Sequence, residues 1–339
     1  MKILVVKLSA FGDIIHALPA LHDLLERPEV NEVHWLVDAR YAFVSEVFPA
    51  EVKVHQVDMR GKRPIRSAWR VIKTLRAEHF DAVLDIQGLT KSAVMASLSG
   101  SPVYGMDENH LREKFARMLL RPVPFHPDER HVVQMYRRVA AAPFGNNGKA
   151  IAYTPPQAEP ESDMRQTGEA LLEHWKISGQ RFVWLHMGGG WATKQLPLNT
   201  WQRLAEELAS RDIIPILGWG NNVEQALAAK IKLAVPASLL PEHRLRMEAL
   251  CGVLTKASAV VGPDTGVVHL AAALGTPTVS FWGPSASWRS APLGEHHRHI
   301  ESNPHCGPCF KRTCGAFICM DMIDANDIIT AIYELAPDP

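Results

Sequence analysis

No run of apolar residues in this chain approaches the roughly 18–20 that cross a bilayer as a helix, so no membrane-spanning helix is expected. Net charge is absent as well. Lys and Arg total 36 and so do Asp and Glu, which leaves no overall field to draw in a polyanion. Nucleic acid is therefore not an expected partner, and electrostatic recognition has to be local. Cysteine is scarce and odd in number, five in 339 residues, with four of them inside residues 306–319. That count argues against the disulfide framework of a secreted domain. The opening segment MKILVVKLSAFGD lacks a signal-peptide core, because its apolar run is broken at Lys7. The expected location is the cytoplasm, at most peripheral to a membrane. Two nucleotide fingerprints are also missing. The first strand-to-helix turn carries only Gly12 where a dinucleotide fold would show GxGxxG, which weighs against a nicotinamide or flavin dehydrogenase. A GxxxxGK[ST] loop is absent too.

What is present is the composition of an ordinary globular protein, 47% hydrophobic and 21% charged, long enough for two domains. In the first half, short apolar runs at 3–7, 33–37, 52–57 and 82–86 read as strands. Helical patterns at 14–26, 41–48 and 65–78 lie between them. A second series follows residues 154–160, a Pro-rich linker. Its strands are expected at 182–187, 213–217, 259–261 and 278–282, and its helices at 198–210, 222–232, 245–257 and 267–274. Near-continuous apolar strands alternating with helices imply parallel sheets covered on both faces. Each half is then a doubly wound α/β unit, with ligands expected at the carboxyl ends of its strands.

Three segments carry chemistry. Asp13 stands at the start of the first helix, either as a cap or as a general base held ionised by the helix N-terminus. Gly188-Gly-Gly-Trp-Ala-Thr193-Lys194 follows an apolar strand, and its glycines, hydroxyl and cation can meet a phosphate. Asp264-Thr265-Gly266 is delivered by a strand onto a helix start, where free amides attract phosphate. His269 lies one turn further on, facing the same ligand or hydrogen-bonded in the core.

Two further clusters stand apart. Residues 60–76 hold seven basic side chains and no acid, with Arg63, Arg66, Arg70 and Lys73 along one helical face and Ile65, Trp69 and Ile72 along another. This is either a solvated face or a site for an acidic acceptor at a membrane surface. Cys306, Cys309, Cys314 and Cys319 have spacing that can hold zinc or iron. They are read here as reduced, packed thiols with no metal.

Together these segments resemble the family 9 glycosyltransferases, the ADP-heptose:lipopolysaccharide heptosyltransferases. The resemblance runs through VKLSAFGDIIHALPAL (6–21), DAVLDIQGLTKSA (81–93), Thr193-Lys194 and GPDTGVVHLAAALGTPTV (262–279). VHWLVDARYA (33–42), DIQGLTKSA and GMDENHLREK (105–114) look most like the members that add the first heptose to Kdo on lipid A. The resemblance implies a GT-B fold, two doubly wound Rossmann-like domains facing a central cleft. Residues 1–155 would bind the acceptor and 156–339 the ADP-sugar. It implies direct displacement with inversion, no metal or other cofactor, and ADP-heptose as co-substrate. Asp13 falls on the catalytic base and Lys194 on the lysine that steadies the donor phosphates. Thr193, Lys194, Asp264, Thr265, Gly266 and His269 fall on the donor-binding positions. Arg60, Lys62, Arg63 and Arg66 fall where Kdo carboxylates and lipid A phosphates are expected, on the cytoplasmic face of the inner membrane. The alternatives are a second or third heptosyltransferase with a heptosyl acceptor, a GT-B-like sugar-nucleotide epimerase, or a non-enzymatic metal- or membrane-binding protein.

If the cysteines are packed thiols, elemental analysis of protein purified without chelators gives well below one zinc or iron per chain. Stoichiometric metal, with unfolding on chelation, would place a structural site at 306–319.

Overall fold

A strand covered on both faces has no polar side to show, and Ile3, Leu4, Val5 and Val6 are all buried. They form β1 (Lys2–Val6) of the first sheet in a computed structural model that describes residues 1–145 and 148–336. The chain divides into two compact units, Met1–Pro156 and Gln157–Pro339, within the Pro-rich segment.

In the first unit β1 is followed by α1 (Phe11–Ile15), α2 (Leu18–Leu25), β2 (Glu32–Asp38) and β3 (Lys53–Val57). Then come α3 (Pro64–Ala77), β4 (Ala82–Asp85), α4 (Thr90–Ser97), β5 (Val103–Gly105), β6 (Arg121–Pro122) and α5 (Val132–Ala141). The sheet order is β3-β2-β1-β4-β5-β6, with parallel pairing throughout. The order reverses between β1 and β4, where Val6 stands opposite Asp85. Loops leaving the carboxyl ends of those two strands diverge, which makes this the switch point of the sheet. Edge strand β3 is the more polar one, as an edge that must not pair with another chain should be.

The second unit runs α6 (Ser162–His174), β7 (Phe182–His186), α7 (Leu198–Ser210), β8 (Ile214–Gly218), α8 (Asn222–Ala234) and α9 (Met247–Leu254). It continues with β9 (Ala259–Pro263), α10 (Gly266–Ala273), β10 (Thr278–Trp282), α11 (Ser287–Ser290), β11 (His297–Glu301) and α12 (Ala325–Leu335). Its sheet, β11-β10-β9-β7-β8, is parallel and switches between β7 and β9. Trp201 on α7 packs edge-on against Phe281 of β10, ring centroids 5.7 Å apart, inside a core of Val, Leu and Ile from β7, β8, β9 and α12. Both units are doubly wound α/β layers.

Several local expectations change. Residues 14–26 are not one helix. Pro19 has no N–H to give to the carbonyl four residues back, so the chain turns at His16 and Ala17 and restarts as α2. Residues 41–47 lie in a 3-10 helix, Ala39–Val47, capped by the extended Phe48; its buried side chains Val44 and Val47 are three apart, the spacing of that tighter helix. In α3 the apolar line through Ile65, Trp69 and Ile72 does not face the core as a unit. Ile72 and Leu75 are buried, whereas Ile65 is 73% and Trp69 60% exposed. Strands β5, β6 and β11 and helices α4, α5, α6, α11 and α12 were not expected from the sequence.

Candidate active site

At the first switch point the loop after β1 is held by the loop after β4. Gln87 Oε1 accepts the amides of Leu8 and Ser9, both at 2.9 Å. Gln87 is itself set by Asp85, whose Oδ1 takes the amides of Gln87 at 2.9 Å and Gly88 at 3.3 Å, while Oδ2 accepts the Ser92 hydroxyl at 2.9 Å. Burial pushes the Asp85 carboxyl up to about 6, against those hydrogen bonds and the charge of Lys7. The DIQG segment is thus a brace for the strand-to-helix turn that presents Asp13.

Asp13 is not the N-cap of α1. It occupies the third helical position, and its Oδ2 reaches back to the amide of Ala10 at 3.3 Å. Its Oδ1 accepts the Tyr136 hydroxyl at 3.4 Å, and the buried Lys7 Nζ donates to that hydroxyl at 2.7 Å and to the carbonyl of Ile86 at 3.1 Å. A buried cation therefore reaches the half-exposed carboxylate through one phenol. Sequence reading missed both residues. Lys7 carries a signal, a lysine leaving a buried strand, but Tyr136 is 129 positions away and carries none.

At the second switch point the loops after β7 and β9 meet. Lys194 is only 7% exposed, and its Nζ donates to the Asp264 carboxylate at 2.5 Å and to the Asp264 carbonyl at 2.9 Å. The other carboxylate oxygen of Asp264 lies 3.0 Å from His269 Nε2, and His269 is buried. Burial alone would raise the Asp264 carboxyl, but the His269 hydrogen bond and the Lys194 charge outweigh it and hold the group well below the usual carboxylate range. An acid beside a prospective phosphate site is thereby explained: Asp264 anchors a cation. His269 contacts Asp264, on the core side. Thr265 is the N-cap of α10 and Gly266 its first residue. Thr193 donates its hydroxyl to the carbonyl of Lys311 at 2.7 Å, tying the lysine loop to the cysteine-rich segment.

The glycines before Lys194 have distinct uses. A side chain at Gly188 would lie 2.6 Å from the Glu224 carboxyl, and Gly190 sits at φ +66°, a left-handed conformation. Glu224, buried at the start of α8, accepts the Gly220 amide at 2.6 Å. It was not singled out in the sequence. A cavity of about 1260 Å³ borders this loop, walled by Gly190, Trp191, Asn221, Glu224 and Leu227. Behind the loop, burial pushes the His186 imidazole down to about 4, so it is neutral at pH 7.

Arg60, Lys62, Arg63 and Arg66 are exposed on the turn after β3 and the first turn of α3, at the same carboxyl end of the sheet as Asp13. Asp58 shapes that turn by accepting the amides of Arg60 at 3.1 Å and Gly61 at 2.6 Å. The cysteines Cys306, Cys309, Cys314 and Cys319 line one small cavity together with Thr193 and Gly283. Burial and the neighbouring thiols Cys309 and Cys306 push the Cys319 thiol up. Among the described residues only Glu32, His34 and Glu78 gather as closely as ligands of one ion. Glu32 is already paired with Lys53 at 2.6 Å, and Glu78 with Lys2 at 3.0 Å.

Two doubly wound units with polar clusters at both switch points define a Rossmann-like class, and comparison with known proteins narrows it. The sequence model of glycosyltransferase family 9 (heptosyltransferase) matches residues 68–317. Lipopolysaccharide heptosyltransferase 1 of Pseudomonas aeruginosa is 33% identical over 328 residues, covering 93% of this chain and 87% of that protein. The protein of the same name from Escherichia coli K12 is 30% identical over 303 residues, covering 84% and 88%. A solved structure of E. coli heptosyltransferase WaaC with ADP superposes with TM-score 0.76 at 25% identity, covering 99% of this chain and all (100%) of that one. The chain belongs to glycosyltransferase family 9, the heptosyltransferases, and is a glycosyltransferase of GT-B fold.

Asp264→Asn leaves the buried Lys194 without its countercharge, and should lower stability at pH 7 by about 3 kcal/mol. Because the folded-state carboxyl is depressed, its contribution is full above the ordinary value of 3.8 and is lost only as pH falls below it. Urea unfolding at pH 8 and pH 5 should therefore show the same deficit, narrowing only under more acid conditions. A variant as stable as the parent at pH 7 contradicts the assignment.

Proposed function

We propose that this heptosyltransferase moves L-glycero-D-manno-heptose from ADP-heptose to Kdo of Kdo-lipid A, in assembly of the lipopolysaccharide inner core. The similarity to proteins named lipopolysaccharide heptosyltransferase 1 supports the acceptor. The similarity to WaaC structures solved with ADP and with ADP-2-deoxy-2-fluoro heptose supports the donor. In this reading the first unit binds the acceptor and the second the ADP-sugar. The acceptor is lipid-borne, so the enzyme works peripherally on the cytoplasmic face of the inner membrane.

The observation that carries the reading is the Lys194–Asp264–His269 cluster beside the start of α10. An ammonium has three N–H donors, and Asp264 takes two of them. The ammonium also lies 4.3 Å over the Trp191 ring, a weak partner that an anion can displace, next to helix-start amides at Thr265 and Gly266 that also favour negative charge. Thr193 completes the donor side, and the cavity beside Trp191 offers room for the nucleoside. Asp13 takes the proton of the Kdo hydroxyl as its oxygen attacks the anomeric carbon. The bond from that carbon to the phosphate oxygen breaks, and ADP leaves with the electron pair. Attack opposite the leaving group inverts the centre. A weakly basic carboxylate suffices because the sugar is already oxocarbenium-like when the hydroxyl arrives. Arg60, Lys62, Arg63 and Arg66 hold the acceptor carboxylates and phosphates. The reading requires no metal or cofactor, since Lys194 and the amides supply the positive field that the leaving diphosphate needs.

The two roles separate kinetically. Asp13→Asn should leave folding and ADP affinity intact while kcat falls about 10²–10⁴-fold, the range for loss of a general base. Lys194→Ala should weaken ADP binding by calorimetry and slow transfer as well. Near-normal turnover by folded Asp13→Asn would sink the base assignment.

A further inference from the structure

Helix α3 is unlike a solvated helix in one respect. Its core stripe is buried at Ile72 and Leu75, yet Ile65 and Trp69 stay exposed at 73% and 60%. Four residues apart, they stack on the same flank of the helix. Around them Lys62, Arg63, Arg66, Arg70, Lys73 and Arg76 are all exposed, and no acidic residue occurs between Arg60 and Ala77. None of these six cations is paired with a carboxylate among the described residues. Large exposed apolar side chains framed by unpaired cations match one kind of surface. That surface is a bilayer carrying anionic headgroups, whose phosphates bind Arg and Lys while the boundary region takes up Ile and Trp.

We propose that α3 docks the enzyme on an anionic lipid bilayer, with Ile65 and Trp69 entering the headgroup–acyl boundary and Arg70, Lys73 and Arg76 binding lipid phosphates. The inference extends the reading of a lipid-borne acceptor, but assigns different residues. Arg60, Lys62, Arg63 and Arg66 serve the acceptor sugar and its phosphates, and the remainder of the helix serves the membrane. Indole is suited to the task, since its ring is apolar and its N–H can stay with the headgroups.

The test uses the full chain and vesicles that contain no acceptor, so it is independent of the catalytic reading. Sedimentation is measured with vesicles of phosphatidylcholine alone and with about one-third phosphatidylglycerol added, the fixed negative surface that basic segments recognise. The parent should bind the anionic vesicles and not the neutral ones. Ile65→Ser/Trp69→Ser should bind at least about tenfold more weakly, as the lost apolar area implies. Arg70→Gln/Lys73→Gln should lose about fivefold per charge at low salt. Quenching of tryptophan emission by brominated lipid should disappear in Trp69→Phe, which keeps an aromatic ring and should still bind. All variants should melt with the parent and transfer normally to a water-soluble acceptor fragment, while the Ser variant slows on acceptor held in vesicles. Equal binding of the parent to both vesicle types, or undiminished binding by the Ser variant, overturns the proposal. Loss of transfer to the soluble fragment also overturns it, because the helix would then belong to the acceptor site alone. Binding that holds while transfer to Kdo-lipid A is never seen would leave the docking helix standing and remove the catalytic reading.

Discussion

A lysine brought almost completely out of water needs a countercharge at hand, and the contact between Lys194 and Asp264 meets that need in the second unit. Three pieces of chain depend on it: the loop after β7 that carries Lys194, the loop after β9 that carries Asp264, and α10, whose His269 fixes the second carboxylate oxygen. The pair costs desolvation on both partners. What it provides is a cation held at one position by two contacts to Asp264, with little freedom left to reorganise. The loop from Gly188 to Trp191 is then free to be close-fitting, with Gly188 against Glu224 and Trp191 stacked on the Lys194 ammonium at 4.3 Å.

The first unit solves a parallel problem with an acid. Asp13 has to be presented at the end of a buried strand without being buried itself. Asp85 and Gln87 hold the backbone of the turn, and Lys7 places a buried positive charge one phenol away from the carboxylate. In both sheets the polar cluster sits where the strand order reverses, between β1 and β4 and between β7 and β9. A parallel sheet leaves a crevice only there, so the topology fixes where reactive groups can be placed.

How much of this was readable beforehand follows the range of the interactions. Strands β1 to β4 and β7 to β10 were legible, all but the polar edge strand β3 because burial writes itself as a continuous Val, Ile and Leu run. Asp13, Lys194 and Asp264 could be placed on the loops and helix starts that follow β1, β7 and β9, because each comes after an apolar strand. The pairing of Lys194 with Asp264 was not, since the two are 70 positions apart and each has an ordinary local reading. Tyr136 meets Asp13 across 123 positions and gave no sign, and Glu224, hydrogen-bonded locally to Gly220, gave none of its approach to Gly188. The break at Pro19 was readable and was passed over for an apolar period that continued through it. In α3 the pattern misled, because Ile65 and Trp69 continue the apolar period of Ile72 but rotate off the stripe that meets the sheet.

The central claim is that the heptosyl group goes from ADP-heptose to the Kdo of Kdo-lipid A. Mass spectrometry of products formed from ADP-heptose with Kdo-lipid A, and separately with heptosyl-Kdo-lipid A, tests it directly. The account predicts a single added heptosyl residue on Kdo-lipid A, release of ADP, and no reaction with the second acceptor. Heptose added only to heptosyl-Kdo-lipid A, or donor consumed with neither acceptor modified, would contradict it.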